Sequence, residues 1–271
     1  MMMSNGMKKI VFFDADGTIL DIKRGVPESA KRAIEELVRN GHEAFICTGR
    51  AYAFLPEEVK NMAFTGIIAN GGAYMEYRGK TLLDKEVTTE VAEKSVEILR
   101  RNGMIPVMEG TNYMYYDNEY TDEVDWFASL ITEQLGEKYR PIKGNEKNLH
   151  IAKISAKIMP GANYIQASKE LEPYYDYVKH DEGMANGTIE YVLKGFTKGF
   201  TIALTCGVLG FSPKQTVCFG DSNNDLTMFD VIHTKVAMGN ASPKLLARAD
   251  YITEDMFHDG IYNGLKYLQL I

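Results

Sequence analysis

An apolar run near the N-terminus that ends in two aspartates constrains the fold of this chain more than any other stretch. The run covers residues 10–13 and leads into Asp14-Ala15-Asp16-Gly17-Thr18. Four β-branched and aromatic residues in a row predict a strand that is buried on both faces. Because residues two apart in an extended segment point to the same side, Asp14 and Asp16 should converge just beyond the strand, where open α/β sheets bind their ligands. The alternative is a solvated turn, since Asp and Gly are frequent turn residues.

A helix and a second strand follow. Apolar residues within 27–39 recur with the spacing of an amphipathic helix, and Gly41 lies just past its end. Residues 43–47 are predicted to form a strand that leads into Thr48-Gly49-Arg50. A strand, a helix and a strand joined by short links predict a βαβ unit with parallel strands, whose carboxyl ends share one edge. Thr48 is therefore expected beside the two aspartates.

Further strands of the same kind lie on both sides of a different middle region. A third strand over residues 65–69 ends at Asn70, and a hairpin is predicted over 74–83. Near the other end of the chain, a helix begins at Lys198, and a buried strand over 216–219 leads into the polar segment that starts with Gly220-Asp221. The last part of the chain therefore returns to the alternating α/β pattern of the first part.

The sequence pattern of the middle region predicts a separate domain. Its two helix-strand-strand groups predict an α+β domain with an antiparallel sheet, which we place at residues 84–189, with one helix over 122–135. It is inserted into a core formed by residues 1–83 and 190–271. The predicted fold class is α/β, with a doubly wound, mostly parallel Rossmann-like sheet and an inserted α+β cap domain.

Composition limits the classes of partner. The chain has 45% apolar and 25% charged residues, a formal net charge of −7 and a pI near 5.4. This acidic balance argues against a nucleic-acid polymer or an anionic membrane as partner. Three cysteines without metal-ligand spacing indicate buried thiols in a reducing compartment. With no signal-peptide pattern before Lys9 and no window long enough to span a membrane, we expect a cytoplasmic protein that is a monomer or a weak oligomer.

Polar side chains are predicted to meet at the carboxyl edge of the sheet or at a helix start. They are Asp14 with Asp16, Thr48, Lys198, and Asp221 with Asn224 and Asp225. Mg²⁺ prefers oxygen ligands and takes only a few from the protein, so Asp14, Asp221 and one backbone carbonyl would satisfy it. Thr48, Lys198 and Asn224 carry donors suited to phosphate oxygens. A carboxylate beside the cation can act as a nucleophile, and a second one two residues further on can donate and accept the protons of the reaction.

Single motifs also have structural explanations. The segment from Asp221 to Asp225 would fit a polar turn that caps a helix. Lys198 competes with Lys194, since each precedes a glycine, and Lys198 is favoured because it opens the predicted helix. The order of the motifs and their places at strand ends together favour a functional site.

Together these motifs resemble those of haloacid dehalogenase (HAD) superfamily phosphatases, in particular the Cof-like branch with a large inserted α/β cap (type IIB). The matching segments occur in the family's order, and the inserted module falls between the second and the third. They are Asp14-Ala15-Asp16-Gly17-Thr18, Thr48-Gly49-Arg50, Lys198-Gly199 and Gly220-Asp221-Ser222-Asn223-Asn224-Asp225.

The resemblance implies a role for each matching residue. Asp14 would be the nucleophile and a Mg²⁺ ligand, and Asp16 would be the general acid/base that also offers its backbone carbonyl to the metal. Asp221 would complete the set of protein ligands to Mg²⁺, and Asp225 would support the metal site without binding the ion itself. The groups that would hold the phosphoryl group are the backbone amide of Ala15 and the side chains of Thr48, Lys198 and Asn224, with Arg50 and Asn70 on the substrate side. Ala15 departs from the family's larger apolar residue, and we expect little effect because the backbone amide makes the contact.

The implied activity is a Mg²⁺-dependent phosphomonoesterase that acts on small phosphorylated metabolites through an aspartyl-phosphate on Asp14. Sugar phosphates are favoured as substrates, and a flavin or nucleotide phosphate also fits. The alternatives are a phosphosugar mutase and a catalytically silent protein that binds phosphometabolites. The presence of Asp16 and Lys198 favours an enzyme over the silent protein.

Overall fold

In the computed structural model of the protein, which describes residues 7–117, 135–180 and 187–271, the strand predicted at residues 10–13 lies inside a large sheet. The described strands are β1 (Ile10–Phe13), β2 (Glu43–Cys47), β3 (Gly66–Ala69), β4 (Tyr74–Tyr77), β5 (Lys80–Asp84), β6 (Met104–Glu109), β7 (Met114–Tyr115), β8 (Tyr139–Arg140), β9 (Lys153–Ile158), β10 (Tyr175–His180), β11 (Thr188–Leu193), β12 (Thr216–Gly220), β13 (Thr234–Ala237) and β14 (Tyr251–Ile252).

The described α-helices are α1 (Glu28–Arg39), α2 (Glu57–Lys60), α3 (Thr89–Arg101), α4 (Tyr164–Leu171), α5 (Lys198–Leu209), α6 (Leu226–Val231), α7 (Pro243–Leu246) and α8 (Gly260–Tyr267). None of the helices in the described part of the chain is long and apolar enough to cross a membrane.

The first sheet has the order β14-β13-β12-β1-β2-β3-β4-β5. β1 lies between β2 and β12 and pairs with both in parallel, so that Phe13 is opposite Ile46 on one side and Phe219 on the other. All four residues of β1 are buried, as expected for a strand covered on both faces. Because the three strands run in the same direction, the polar residues that follow them lie along one edge of the sheet. The predicted α/β fold class is confirmed.

Helix α5 places Lys198 at its first position. The side chain of Thr197 caps the helix by accepting a hydrogen bond from the backbone N–H of Phe200, at 3.0 Å. The helix then packs closely on α6, since a Cβ added to Gly199 would lie only 2.1 Å from the backbone oxygen of Thr227. The absence of a side chain at Gly199 therefore sets the distance between the two helices.

The chain forms two compact units, of which the second comprises Arg50–Leu55 and Asp84–Phe196. Its sheet has the order β10-β11-β9-β6-β7-β8, and side chains of α3 and α4 share a buried core with one face of it. The pairs on either side of β9 are antiparallel, but β7 and β8 are parallel. The expectation of an antiparallel sheet is therefore wrong at this edge. The long connection between β7 and β8 is of the kind that parallel pairing needs.

The predicted boundaries of the inserted domain differ from those of the second unit. Residue 189 lies inside β11, so the unit extends to Phe196, where the chain leaves the sheet. The segment Arg50–Leu55 also belongs to the second unit, because Ala51 and Ala53 are buried with Met114 and other apolar residues of that unit. The helix predicted over 122–135 lies, except for its last residue, outside the described residues.

Two glycines of α5 provide a test of the packing. Replacing Gly199 by alanine should lower the free energy of unfolding by about 1–3 kcal/mol, because the new methyl group meets the backbone of Thr227. The same replacement at Gly207, which has nothing within 4 Å of the added Cβ, should raise it by about 0.5–1 kcal/mol through helix propensity. Denaturant unfolding of the two variants measures both, and equal effects would contradict the close packing at Gly199.

Candidate active site

The chain turns sharply at the end of β1, and the two aspartates differ in their burial. The N–H of Asp14 still pairs with the oxygen of Phe219 at 2.9 Å, and the Asp14 side chain is buried. The oxygen of Ala15 then accepts hydrogen bonds from the N–H groups of residues 18–20, which closes the turn. Asp16 lies on the outside of this turn and is exposed. The two carboxylates therefore have different surroundings, one desolvated and one in water.

Gly17 and Thr18 bring this turn against Asp221. Gly17 has a φ of 82°, and a Cβ there would lie 2.3 Å from the Asp221 carboxylate, so both the conformation and the close approach require glycine. The Thr18 hydroxyl donates a hydrogen bond to Asp221 Oδ1 at 2.9 Å. The sequence pattern predicts no role for Thr18, although its place in the first motif indicates that it lies near the site. The Thr18 hydroxyl holds the carboxylate of Asp221 in position.

The loop after β12 is closed by Asp225. Oδ2 of Asp225 accepts the backbone N–H of Asp221 at 3.0 Å and that of Ser222 at 3.1 Å. The Asp225 side chain is fully buried. The segment from Asp221 to Asp225 is therefore a turn closed by capping contacts, as the structural explanation predicted. The same contacts hold the Asp225 carboxylate and the backbone of Asp221 in place.

Lys198 contacts residues of two segments, the turn after β1 and the loop after β12. Its ammonium is buried and donates hydrogen bonds to Asp14 Oδ1, to Asp225 Oδ1 at 2.8 Å and to Asn224 Oδ1 at 3.3 Å. Lys194, the competing candidate, belongs to the second unit and donates to the backbone oxygen of Glu172 at 2.6 Å. Of the two lysines, Lys198 is therefore the one that contacts Asp14 and Asp225.

The same contacts orient the amide of Asn224. Its Oδ1 accepts from Lys198 and also from the Ser222 hydroxyl, at 2.7 Å. Since both neighbours present donors, the oxygen must face them, and Nδ2 is turned toward the other side. That orientation leaves the N–H donors of Nδ2 on the side away from Lys198 and Ser222.

Three carboxylates form one group. Asp14, Asp221 and Asp225 each offer an oxygen, and these atoms lie within 4.8 Å of one another. Among the ion pairs of the described residues, the ammonium of Lys198 contacts two of these three carboxylates, so negative charge is in excess there. A close set of carboxylate oxygens with excess negative charge fits a hard divalent cation such as Mg²⁺.

The pKa values of Asp14 and Asp221 are raised by burial and by the same excess of negative charge. Burial, followed by the charge of Asp225, raises the pKa of Asp14 well above its ordinary value, although Lys198 acts in the opposite direction. Burial and Asp225 likewise raise the pKa of Asp221 to about 7, against the hydrogen bond from Thr18. Burial disfavours the ammonium of Lys198, but Asp14 and Asp225 outweigh it and raise the pKa of that group. A bound cation would relieve the repulsion between the carboxylates.

The other predicted residues are placed as follows. Thr48 is buried after β2, and its N–H donates to the oxygen of Ile68 at 2.9 Å. Asn70 follows the neighbouring strand β3, is buried, and has a φ of 55°. Arg50 belongs to the second unit, where its guanidinium lies 5.0 Å from the centre of the Phe54 ring. The roles of these three residues toward a substrate stay predictions.

Removal of protons should strengthen metal binding. Mg²⁺ affinity should fall as the pH falls below about 7, because Asp221 then carries a proton that the ion must displace. One displaced proton corresponds to a change of about tenfold in the dissociation constant per pH unit. Titration calorimetry on both sides of that pH measures the affinity and the released protons.

A Thr18→Val variant serves as the comparison. It removes the hydrogen bond that lowers the pKa of Asp221, so the loss of affinity should begin at a higher pH. A dissociation constant that is the same on both sides of neutrality in the native protein would contradict the predicted role of Asp221 as a metal ligand.

The sequence itself matches known proteins along nearly its full length. A profile of haloacid dehalogenase-like hydrolases matches residues 11–265. The Bacillus subtilis protein YkrA is 27% identical over 267 residues, which cover 97% of this chain and 98% of YkrA. Pyridoxal phosphate phosphatase YbhA of Escherichia coli is 24% identical over 265 residues, which cover 93% of this chain and 96% of YbhA.

The fold is likewise similar to that of solved proteins. The HAD subclass IIB sugar phosphatase BT4131 has a TM-score of 0.75 to this chain at 21% identity, covering 97% of this chain and 100% of its own. That likeness supports the fold. The profile match and the phosphatase relatives confirm the resemblance to the Cof-like branch and the prediction of an HAD-type phosphatase. The chain belongs to the haloacid dehalogenase-like hydrolase family.

Proposed function

We propose that this chain hydrolyses phosphate monoesters of small metabolites in a Mg²⁺-dependent reaction with Asp14 as the nucleophile. The observation that carries the proposal is the contact of the buried Lys198 ammonium with Asp14, Asp225 and Asn224. It puts a fixed positive charge beside a desolvated carboxylate and an oriented amide donor. This combination suits the binding of a phosphoryl group next to a nucleophile.

The metal would be held by the carboxylates of Asp14 and Asp221 and by the backbone carbonyl of Asp16. When bound, Mg²⁺ supplies positive charge that offsets the charge on the phosphate oxygens and on the nucleophile. Asp225 lies in the same group of carboxylates, and its oxygens already accept hydrogen bonds from Lys198 and from two backbone amides. These contacts support the proposed role of Asp225, which is to position the metal site without binding the ion itself.

The chain's own residues would carry out two displacements at phosphorus. In the first, a carboxylate oxygen of Asp14 forms the bond to phosphorus while the bond to the leaving oxygen breaks, and Asp16 gives that oxygen its proton. In the second, Asp16 takes a proton from water, the water oxygen forms a bond to phosphorus, and the bond between phosphorus and the Asp14 oxygen breaks, which releases inorganic phosphate and restores the Asp14 carboxylate. The exposure of Asp16 suits this role, since it must exchange protons with the leaving group and with water.

Sugar phosphates are the proposed substrates. Two proteins similar to this chain act on small phosphate esters, since YbhA is a pyridoxal phosphate phosphatase and BT4131 is a sugar phosphatase. The net charge of −7 further disfavours a polyanionic nucleic acid as substrate. A cytoplasmic location and a monomeric or weakly oligomeric state stay predictions.

The first experiment measures phosphate release from a panel of sugar, nucleotide and pyridoxal phosphates, with Mg²⁺ and then with EDTA. Release should require Mg²⁺ and should vanish in Asp14→Asn, which keeps the shape of the side chain and removes the nucleophile. The matched control is Asp230→Asn, whose carboxylate forms an exposed pair with Arg248, and it should keep full activity.

Two other results would replace the proposal. Transfer of phosphate between positions of one sugar, without release, would establish the mutase alternative. Binding of Mg²⁺ and a phosphosugar with neither release nor transfer would establish the silent binding protein.

The two lysine-glycine dipeptides provide a second test. Lys198→Met should lower kcat/KM by about 10²–10³-fold, because it removes a charge aimed at the phosphoryl group. Lys194→Met removes an ammonium of the second unit that contacts a backbone oxygen, and it should change kcat/KM little. Equal losses in the two variants would contradict the assignment of Lys198 to the phosphate.

A further inference from the structure

We propose that Asn240 is a positioning residue that fixes the turn bearing Asp16 and so supports proton donation to poor leaving groups. This inference rests on the function proposed above, in which Asp16 protonates the leaving oxygen. Asn240 follows β13 and lies outside the motifs that supply the nucleophile, the metal ligands and the phosphate donors.

The contact that carries the inference joins residues 223 positions apart in sequence. Nδ2 of Asn240 donates a hydrogen bond to the backbone oxygen of Gly17 at 3.0 Å. Gly17 directly follows Asp16, so the acceptor belongs to the next residue after the proposed acid. Rotation of the backbone at this point would move the Asp16 side chain.

The backbone beside Asp16 contributes to the position of its side chain, because burial does not enclose that side chain. Its side chain is exposed, in contrast to the buried Asp14. On its other side the turn is held by Thr18, whose hydroxyl bonds to Asp221. The amide of Asn240 and the hydroxyl of Thr18 therefore anchor the turn at two successive residues, Gly17 and Thr18.

The loop that bears Asn240 is itself firmly held. The N–H of Gly239 donates to the oxygen of Glu254 at 3.2 Å, and the N–H of Ser242 donates to the backbone oxygen of Asp221 at 2.7 Å. A Cβ on Gly239 would lie 2.9 Å from the backbone nitrogen of Asp255, so the loop packs tightly there. Asn240 therefore ties the turn that bears Asp16 to a loop that also bonds to the backbone of Asp221.

Leaving-group dependence separates this role from a purely structural one. A general acid matters when the leaving group is an alkoxide and matters little when it is a stabilised phenolate such as p-nitrophenolate. The ratio kcat/KM contains only steps up to the first irreversible one, here transfer to Asp14, so it reports the acid role of Asp16 and omits the later water step. A variant that merely loosens the fold changes both substrates alike.

The experiment compares a sugar phosphate with p-nitrophenyl phosphate as substrates of Asn240→Ala. Loss of the hydrogen bond should lower kcat/KM for the sugar phosphate by about tenfold and for p-nitrophenyl phosphate by less than about twofold. Asn240→Asp should lower kcat/KM for the sugar phosphate at least as much as Asn240→Ala does, because a carboxylate at this position repels the backbone oxygen of Gly17. Thermal melting confirms that each variant is folded.

The matched control is Asn40→Ala. Asn40 is also exposed, and its amide likewise donates to a backbone oxygen distant in sequence, that of Leu270 at 2.9 Å, with no described contact to the Asp16 turn. This variant should leave both substrates unchanged. Equal losses on the two substrates in Asn240→Ala, or no loss on either, would overturn the inference.

Asp16→Asn distinguishes failure of the inference from failure of the proposed function. If this variant loses the sugar phosphate selectively and Asn240→Ala does not, Asn240 has no positioning role. If Asp16→Asn affects both substrates equally, Asp16 is not the general acid, and the proposed mechanism is wrong.

Discussion

The arrangement of the first unit's site depends on one buried ammonium shared between carboxylates. Lys198 contacts Asp14 and Asp225, which are themselves buried. Removing one partner of a buried ion pair leaves an uncompensated charge, which is strongly unfavourable. The position of the ammonium in turn depends on α5, and α5 reaches that position because Gly199 allows its first turn to approach α6. Helix packing and the electrostatics of the site are therefore determined by the same few residues.

Much of this architecture could be predicted because it rests on local patterns. A buried strand followed by Asp14, a strand followed by Thr48 and a strand followed by Asp221 each have a short sequence signature. Parallel pairing of β1 with β2 and β12 then brings these strand ends to one edge without further information. The choice of Lys198 over Lys194 also followed from a local feature, the start of α5.

The remaining features involve residues that are far apart in sequence or that depend on turn geometry. The hydrogen bond from Thr18 to Asp221 joins residues 203 positions apart, and neither strand periodicity nor charge spacing reports it. The different surroundings of Asp14 and Asp16 follow from the turn that closes on Ala15, which the alternation of an extended strand does not describe. In the second unit, the parallel pair of β7 and β8 depends on a long connection, and the end of the unit at Phe196 depends on how far β11 continues.

The segment Arg50–Leu55 has a consequence for any attempt to separate the two units. The backbone passes from one unit to the other four times, after Gly49, Leu55, Leu83 and Phe196. An internal deletion of residues 84–196 would thus remove Met114 and Tyr116 and leave Ala51 and Ala53 without the apolar neighbours that bury them. These alanines lie within a few residues of Thr48, so the excision would disturb the chain next to a proposed phosphate ligand. Neither unit is one continuous segment of the chain, so no single cut in the sequence separates them.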